Sequence, residues 1–130
     1  MQLHGFSDAS ELAYAGVVYL WMVHANGDVH TSLVMSKTKV APIKRLTIPQ
    51  LELCGAHLLA QLLHHCKEVF HLPPDEVFAW SDSTIVLNWL VGSRRFKTYV
   101  GNRVSRIVEL IAPEHWNHVE GTQNPADCAS

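Results

Sequence analysis

"TIPQLELCGAHLLAQLLHHCKEVFHLPP", residues 47–74, is the stretch where the chain changes period. Ala56, Leu59, Leu63, Cys66 and Phe70 recur at spacings of three and four, the signature of one helical stripe facing a core. Thr47 followed three residues later by Gln50 forms a capping box, and Pro49 is tolerated in the first turn. "LPP" ends the helix near His71. Glu52 lies on the same stripe, ahead of Ala56 and Leu59, whereas His57, Gln61, His64 and Glu68 form a separate polar stripe. A lone carboxylate on a buried face is costly, so Glu52 needs an arginine, a hydrogen-bond network or a metal beside it.

Upstream of this helix the pattern is extended. Residues 2–8 read as a short strand, and 13–25, rich in Val, Tyr and Trp, as a longer one. "NGD" at 26–28 is a turn signal that pairs 13–25 with 29–37 as a hairpin. Downstream, "EVFAWSD" (76–82) is a strand on which Phe78, Trp80 and Asp82 share a side, and "STIVLNWL" (83–90) is a short helix broken at Gly92 and Ser93. A helix over about 97–111 stops at "APE", and 115–119 form a last strand. "EGTQNPAD" then turns into a new helix that Asp127 starts and that Ser130 cuts short, as expected of a piece excised from a larger protein. The order β-β-β-α-β-α-α-β-α predicts an α/β fold: one domain over 1–130, a mixed sheet with helices on its faces.

Composition supports a globular domain rather than a disordered chain: 48% of the 130 residues are hydrophobic and 17% charged. No apolar run reaches the roughly eighteen residues of a membrane span, and no signal peptide is visible. A net charge of −2 argues against coating nucleic acid by bulk charge. The basic residues are clustered, however. Lys37, Lys39, Lys44 and Arg45 form one segment, and Arg94, Arg95, Lys97, Arg103 and Arg106 another. Each reads either as a local anion contact or as a solvated face. Cys54, Cys66 and Cys128 have no zinc-ribbon or redox-pair spacing and read as reduced, packed thiols of an intracellular protein. His64, His65 and His71 read as surface residues of a helix end rather than zinc ligands.

Four carboxylates stand out by position: Asp8 and Asp82 at strand ends, Glu52 on the helix stripe, and Asp127 at the last helix start. If strands one and four are neighbours, Asp8 and Asp82 meet, and the overlying helix brings Glu52. Such a cluster needs a counter-charge, which divalent cations on oxygen ligands supply. Magnesium suits the site best, and a pair of ions suits phosphodiester hydrolysis. Each Asp taken singly fits a turn former or helix cap equally well.

The motifs "GFSDAS" (5–10), "LTIPQLELCGAHLLAQLL" (46–63), "FAWSDSTIVLNWL" (78–90), "KTYVGNRVSRI" (97–107) and "WNHVEGTQNPADCAS" (116–130) span nearly the whole chain in order. In these the sequence resembles the ribonuclease H domain of LTR-retrotransposon reverse-transcriptase polyproteins, most closely the BEL/Pao group. The resemblance implies a ribonuclease H-like fold, a five-stranded mixed sheet flanked by helices. It implies a two-magnesium endonuclease, with manganese as a substitute, that cuts the RNA strand of an RNA–DNA hybrid. Asp8, Glu52, Asp82 and Asp127 match the catalytic, metal-binding acids. Ser10, Glu11, Ser83, Thr84, Asn88, Arg94, Arg95 and Lys97 are the implied hybrid contacts, and Trp89 and Tyr99 either stack on the DNA strand or pack in the core. The implied partner is a polymerase domain in the same polyprotein, within a cytoplasmic retroelement particle. The family's mobile loop histidine falls here near Thr122, with His118 earlier in the last strand. The alternative is a decayed domain that keeps the fold and binds nucleic acid without cutting it.

Overall fold

The computed structural model describes residues 1–43, 46–92 and 98–129. The elements follow as β1 (Gln2–Ala9), β2 (Ala13–Val23), β3 (Val29–Val40), α1 (Ile48–Phe70), β4 (Val77–Ser81), α2 (Thr84–Val91), α3 (Thr98–Leu110) and β5 (Trp116–His118). The β2–β3 hairpin turns where "NGD" predicts. Gly27 takes φ 89°, and its N–H donates to the His24 carbonyl at 2.9 Å. β2 stops at Val23, because His24 N–H is bonded across the turn to Asp28. β3 runs past the expected residue 37 to Val40, since Thr38, Lys39 and Val40 pair with Ala15, Tyr14 and Ala13.

α1 begins as its capping box dictates. Thr47 Oγ1 accepts from Gln50 N–H at 3.2 Å, and Gln50 Oε1 accepts from Thr47 N–H at 2.9 Å. The helix closes on His71, in the left-handed region at φ 54°. Ala56, Leu59, Leu63 and Cys66 of the predicted stripe are buried, and Phe70 is partly so. The buried arc is wider than the stripe, taking in Leu53, Leu58, Ala60 and Leu62. The reason is that α1 packs against the sheet on one side and α3 on another, where Val104, Ile107 and Ile111 are buried. Gly5 permits the closest approach. A Cβ there would lie 2.6 Å from Leu59 Cδ1 and 2.8 Å from Leu63 Cδ1.

The sheet order is β3-β2-β1-β4-β5. β1 pairs antiparallel with β2 and parallel with β4, and β4 pairs parallel with β5. The expected mixed sheet is therefore present, with strands one and four adjacent. Alternation along β1 sends Gly5 and Ser7 toward α1 and His4, Phe6 and Asp8 to the opposite face. On that face His4 stacks on Trp21 at 4.2 Å and Phe78 at 4.8 Å, and accepts from Trp80 Nε1 at 3.1 Å.

The C-terminal segment differs from expectation. Instead of an α-helix starting at Asp127, residues Pro125–Ala129 form a 3₁₀ turn, preceded by another at Gly121–Gln123. The Asn124 side chain explains the tight turn, because its Oδ1 accepts from Ala126 N–H at 3.0 Å just past Pro125. Among the described residues no helix is long and apolar enough to cross a membrane.

Candidate functional site

The parallel register of β1 and β4 pairs Ser7 with Ser81, so Asp8 and Asp82 follow side by side at the same sheet end. Neighbouring strands lie about 4.8 Å apart, which fixes the scale of the gap between these two backbones. Asp8 does not end β1 but lies inside it, opposite Ala15, and is buried. The strand gains one residue because Ala9 still pairs with Tyr14. Asp82 is the first residue after β4 and is partly exposed.

Glu52 reaches the same end from the second turn of α1 and is half-buried. Its side chain hydrogen-bonds Ser83 and feels the charge of Asp82. Burial pushes the Glu52 carboxyl above its ordinary range, the Asp82 charge adds to that, and the Ser83 hydrogen bond opposes it. Among the described residues, the partners of Glu52 on the helix stripe are thus a second carboxylate and a hydroxyl.

Ser83 is buried because it caps α2, its Oγ accepting from Val86 N–H at 3.2 Å. Its own N–H donates to Ser81 Oγ at 3.1 Å. The hydroxyl expected to touch nucleic acid is engaged inside the protein. Thr84 and Asn88, next along α2, are exposed. Ser10 closes the β1–β2 turn on Leu12 and Ala13 N–H, both at 3.3 Å, and Glu11 beside it is exposed. A cleft of about 520 Å³ separates Glu11 from Thr47 and Leu51 at the start of α1. Trp89 packs partly against the core. Tyr99 is held between Cys54 Sγ, 3.2 Å from its hydroxyl, and the Arg103 guanidinium over its ring. Lys44, Arg45, Arg94, Arg95 and Lys97 lie outside the described residues.

Asn124 is the residue that sequence reasoning missed. It is buried, and its Nδ2 donates to the Ser7 carbonyl at 2.9 Å and to Asp82 Oδ2 at 3.4 Å. One amide thus ties the strand bearing Asp8, the carboxylate of Asp82 and the turn bearing Asp127. The available signal is the "NP" dipeptide, a turn initiator whose side chain has a donor to spare. Thr122 lies exposed in the adjoining turn, where a Cβ on Gly121 would come 3.5 Å from Asp82 Oδ2. His118 is exposed in β5, paired with Ser81.

The turn with Asp127 packs against β1 and β2, and Asp127 itself is exposed. The four acids therefore gather around one sheet end, with Glu52 and Asp82 electrostatically coupled. They do not converge fully. Among the described residues no group of three or more His, Cys, Asp or Glu side chains closes around a metal position.

Residues 1–83 match the family described as the Pao retrotransposon-like RNaseH-like domain. The chain belongs to that family. The matched segment contains Asp8, Glu52 and Asp82 but not Asp127 or Asn124. This Pao-type domain has the ribonuclease H-like fold. It is similar to RNase H1 of the halophilic archaeon Halobacterium salinarum (TM-score 0.63, 21% identity, covering 95% of this chain and 89% of that one). It is also similar to the N-terminal RNase H domain of a Mycobacterium tuberculosis protein (TM-score 0.62, 15% identity, 95% and 85% covered). A third neighbour is LC11-RNase H1 in complex with RNA/DNA hybrid (TM-score 0.63, 13% identity, 95% and 89% covered). No curated protein matches the chain in sequence.

Proposed function

We propose that this Pao-type domain is a divalent-metal-dependent endonuclease that hydrolyses the RNA strand of RNA–DNA hybrids during reverse transcription. One observation carries the reading. Asp8, Glu52 and Asp82, all within the family-matched segment, reach one sheet end, where the half-buried Glu52 feels the charge of Asp82. A pair of that kind is unfavourable in the isolated protein and favourable around a cation.

The donor set fits magnesium in kind, since it is made of hard carboxylate oxygens. Asp8, Glu52, Asp82 and Asp127 would hold the ions. Bound magnesium supplies the Lewis acid for phosphodiester hydrolysis and lowers the pKa of a bound water. The chain's own residues do the rest. Asn124 and Ser83 orient the Asp82 and Glu52 carboxylates through the hydrogen bonds above. Ser10, Glu11, Thr84 and Asn88 line the approaches to that end and are available to a hybrid, where contact with a 2′-hydroxyl selects RNA. The hybrid and a polymerase domain in the same polyprotein are the partners in this reading.

A second reading, a decayed domain that binds nucleic acid without cutting it, is favoured by the incomplete convergence of the acids. Cleavage of a labelled RNA–DNA hybrid with magnesium or manganese separates the two. Loss of RNA-strand cutting in Asp8→Asn and Asp82→Asn, with the circular dichroism spectrum kept, is the result expected for a nuclease. Hybrid binding without metal-dependent cutting by the wild-type chain would establish the second reading instead.

A further inference from the structure

Among the described residues, the fold brings members of the two basic segments together. Lys39 of β3 and Arg103 of α3 line a cavity of about 130 Å³ with His57 of α1, and Arg106 approaches the same imidazole. Tyr14, Cys54 and Gln61 complete the walls.

The cationic wall is built rather than incidental. The Arg103 guanidinium carbon sits 3.7 Å from the centre of the Tyr99 ring, and Nη1 donates to the Tyr99 carbonyl at 3.4 Å. Tyr99 is itself anchored on Cys54. A guanidinium fixed flat on an aromatic ring keeps edge donors for a planar or tetrahedral anion. Burial first, then Arg106, Arg103 and Lys39, hold His57 below the ordinary histidine range. At neutral pH it is a neutral imidazole, able to donate one hydrogen bond.

We propose that this cavity binds a backbone phosphate of a nucleic-acid strand, held by Lys39, Arg103 and Arg106 with His57 and Gln61 as hydrogen-bonding walls. The source of the phosphate rests on the hybrid reading above. Its position is set by β1 and β2, since Tyr14 pairs with Ala9, next to Asp8. Cys54, His57 and Gln61 lie on the side of α1 turned roughly 140–200° away from Glu52 at about 100° per residue, so the cavity would meet a strand that runs on past the carboxylates rather than the step being cut.

The first test titrates inorganic phosphate into the protein and follows the His57 ring and the Gln61 side-chain amide by NMR. Saturable shifts at both are expected, and their loss in a Lys39→Gln/Arg106→Gln variant, whose two sites are exposed. Absent shifts, or equal shifts in the variant, would overturn the cavity as an anion site. The second test measures binding of labelled RNA–DNA hybrid by Asp82→Asn protein with and without those two substitutions. Kd is expected to weaken roughly 10-fold, and the slope of log Kd against log salt to fall by about 0.9 for each phosphate that is no longer neutralised. An unchanged Kd and slope would overturn the assignment to nucleic acid and leave the proposed function standing. No hybrid binding by any form would overturn the proposed function and the nucleic-acid source together, while the phosphate titration still decides the anion site.

Discussion

Asn124→Asp is an isosteric change that tests the geometry around Asp82 directly, and Asn124→Ala is its reference. The alanine variant leaves the Ser7 carbonyl without the 2.9 Å donor and Ala126 N–H without its acceptor. Each buried polar group left unpaired costs about 1–3 kcal/mol, so the loss is about 3 kcal/mol in total once water refills part of the space. At about 4 °C per kcal/mol for a chain of this size, the thermal midpoint falls by roughly 10 °C. The aspartate variant keeps the Ala126 bond but sets an anion 3.4 Å from Asp82 Oδ2. Coulomb's law at an effective dielectric of about 20 gives ~5 kcal/mol of repulsion. Solvent at the partly exposed Asp82 removes roughly half of it. The kept Ala126 bond offsets about 1–1.5 kcal/mol of this, so Asn124→Asp is expected to be about 1 kcal/mol less stable than Asn124→Ala at neutral pH. Mutual repulsion raises the folded pKa of the new pair, so the folded state binds protons more tightly than the unfolded chain. The extra penalty is full above the raised values and vanishes as pH falls below the ordinary aspartate value of about 3.9. The alanine deficit has no such pH dependence. Urea unfolding of both variants at neutral pH and at about pH 3.5 reads the difference. An aspartate variant as stable as the alanine one at neutral pH, or a gap that does not close in acid, would refute the placement of Asn124 against Asp82.

Two further substitutions probe the same end of the sheet. Glu52→Gln keeps a hydrogen-bonding partner for Ser83 and removes the charge that burial and Asp82 disfavour. The raised folded pKa means that the penalty is absent below the ordinary value of 4.5 and fully present above the folded value, so the variant gains stability progressively as pH rises from there. Urea midpoints across that window check it, and a variant that loses stability more at neutral pH than in acid would mean that a cation already sits beside Glu52. Gly5→Ala drives a methyl to within 2.6 Å of Leu59 Cδ1 and so must displace the buried Leu59 and Leu63 side chains that pack α1 on β1. A loss of about 1–3 kcal/mol is expected from such overpacking, and an unchanged thermal midpoint would show that the helix does not depend on that close approach.

The parts of the molecule governed by local chemistry were legible in the sequence. The capping box at Thr47–Gln50, the "NGD" turn and the change of period after residue 46 each encode their structure in adjacent residues. A mixed sheet followed from three consecutive strands and then helix–strand alternation, while the adjacency of strands one and four stood as a condition that the β1–β4 pairing meets. What escaped was set by partners distant in the chain. β3 is lengthened by its register with β2, which no property of residues 38–40 announces. That Asp8 lies inside β1 rather than at its end depends on Ala9 pairing with Tyr14 of the neighbouring strand. The segment after Asn124 is a 3₁₀ turn because an Asn side chain competes for the backbone, a competition that helix propensity does not register. Asn124 itself reads only as turn chemistry, since its second role lies in bonds to strands far away in sequence.

The Asn124–Ser7 hydrogen bond spans 117 residues of sequence. That span has a consequence for synthesis. A chain emerging from the ribosome can form the β2–β3 hairpin early, because its contacts are local. The end of β1 acquires Asp82 only after β4 has docked beside it, and the clasp that orients Asp82 forms only when residue 124 has left the exit tunnel. A nascent chain therefore carries the individual acids long before it carries an assembled carboxylate end, and an interrupted translation product would have its first strands in place with no oriented Asp82.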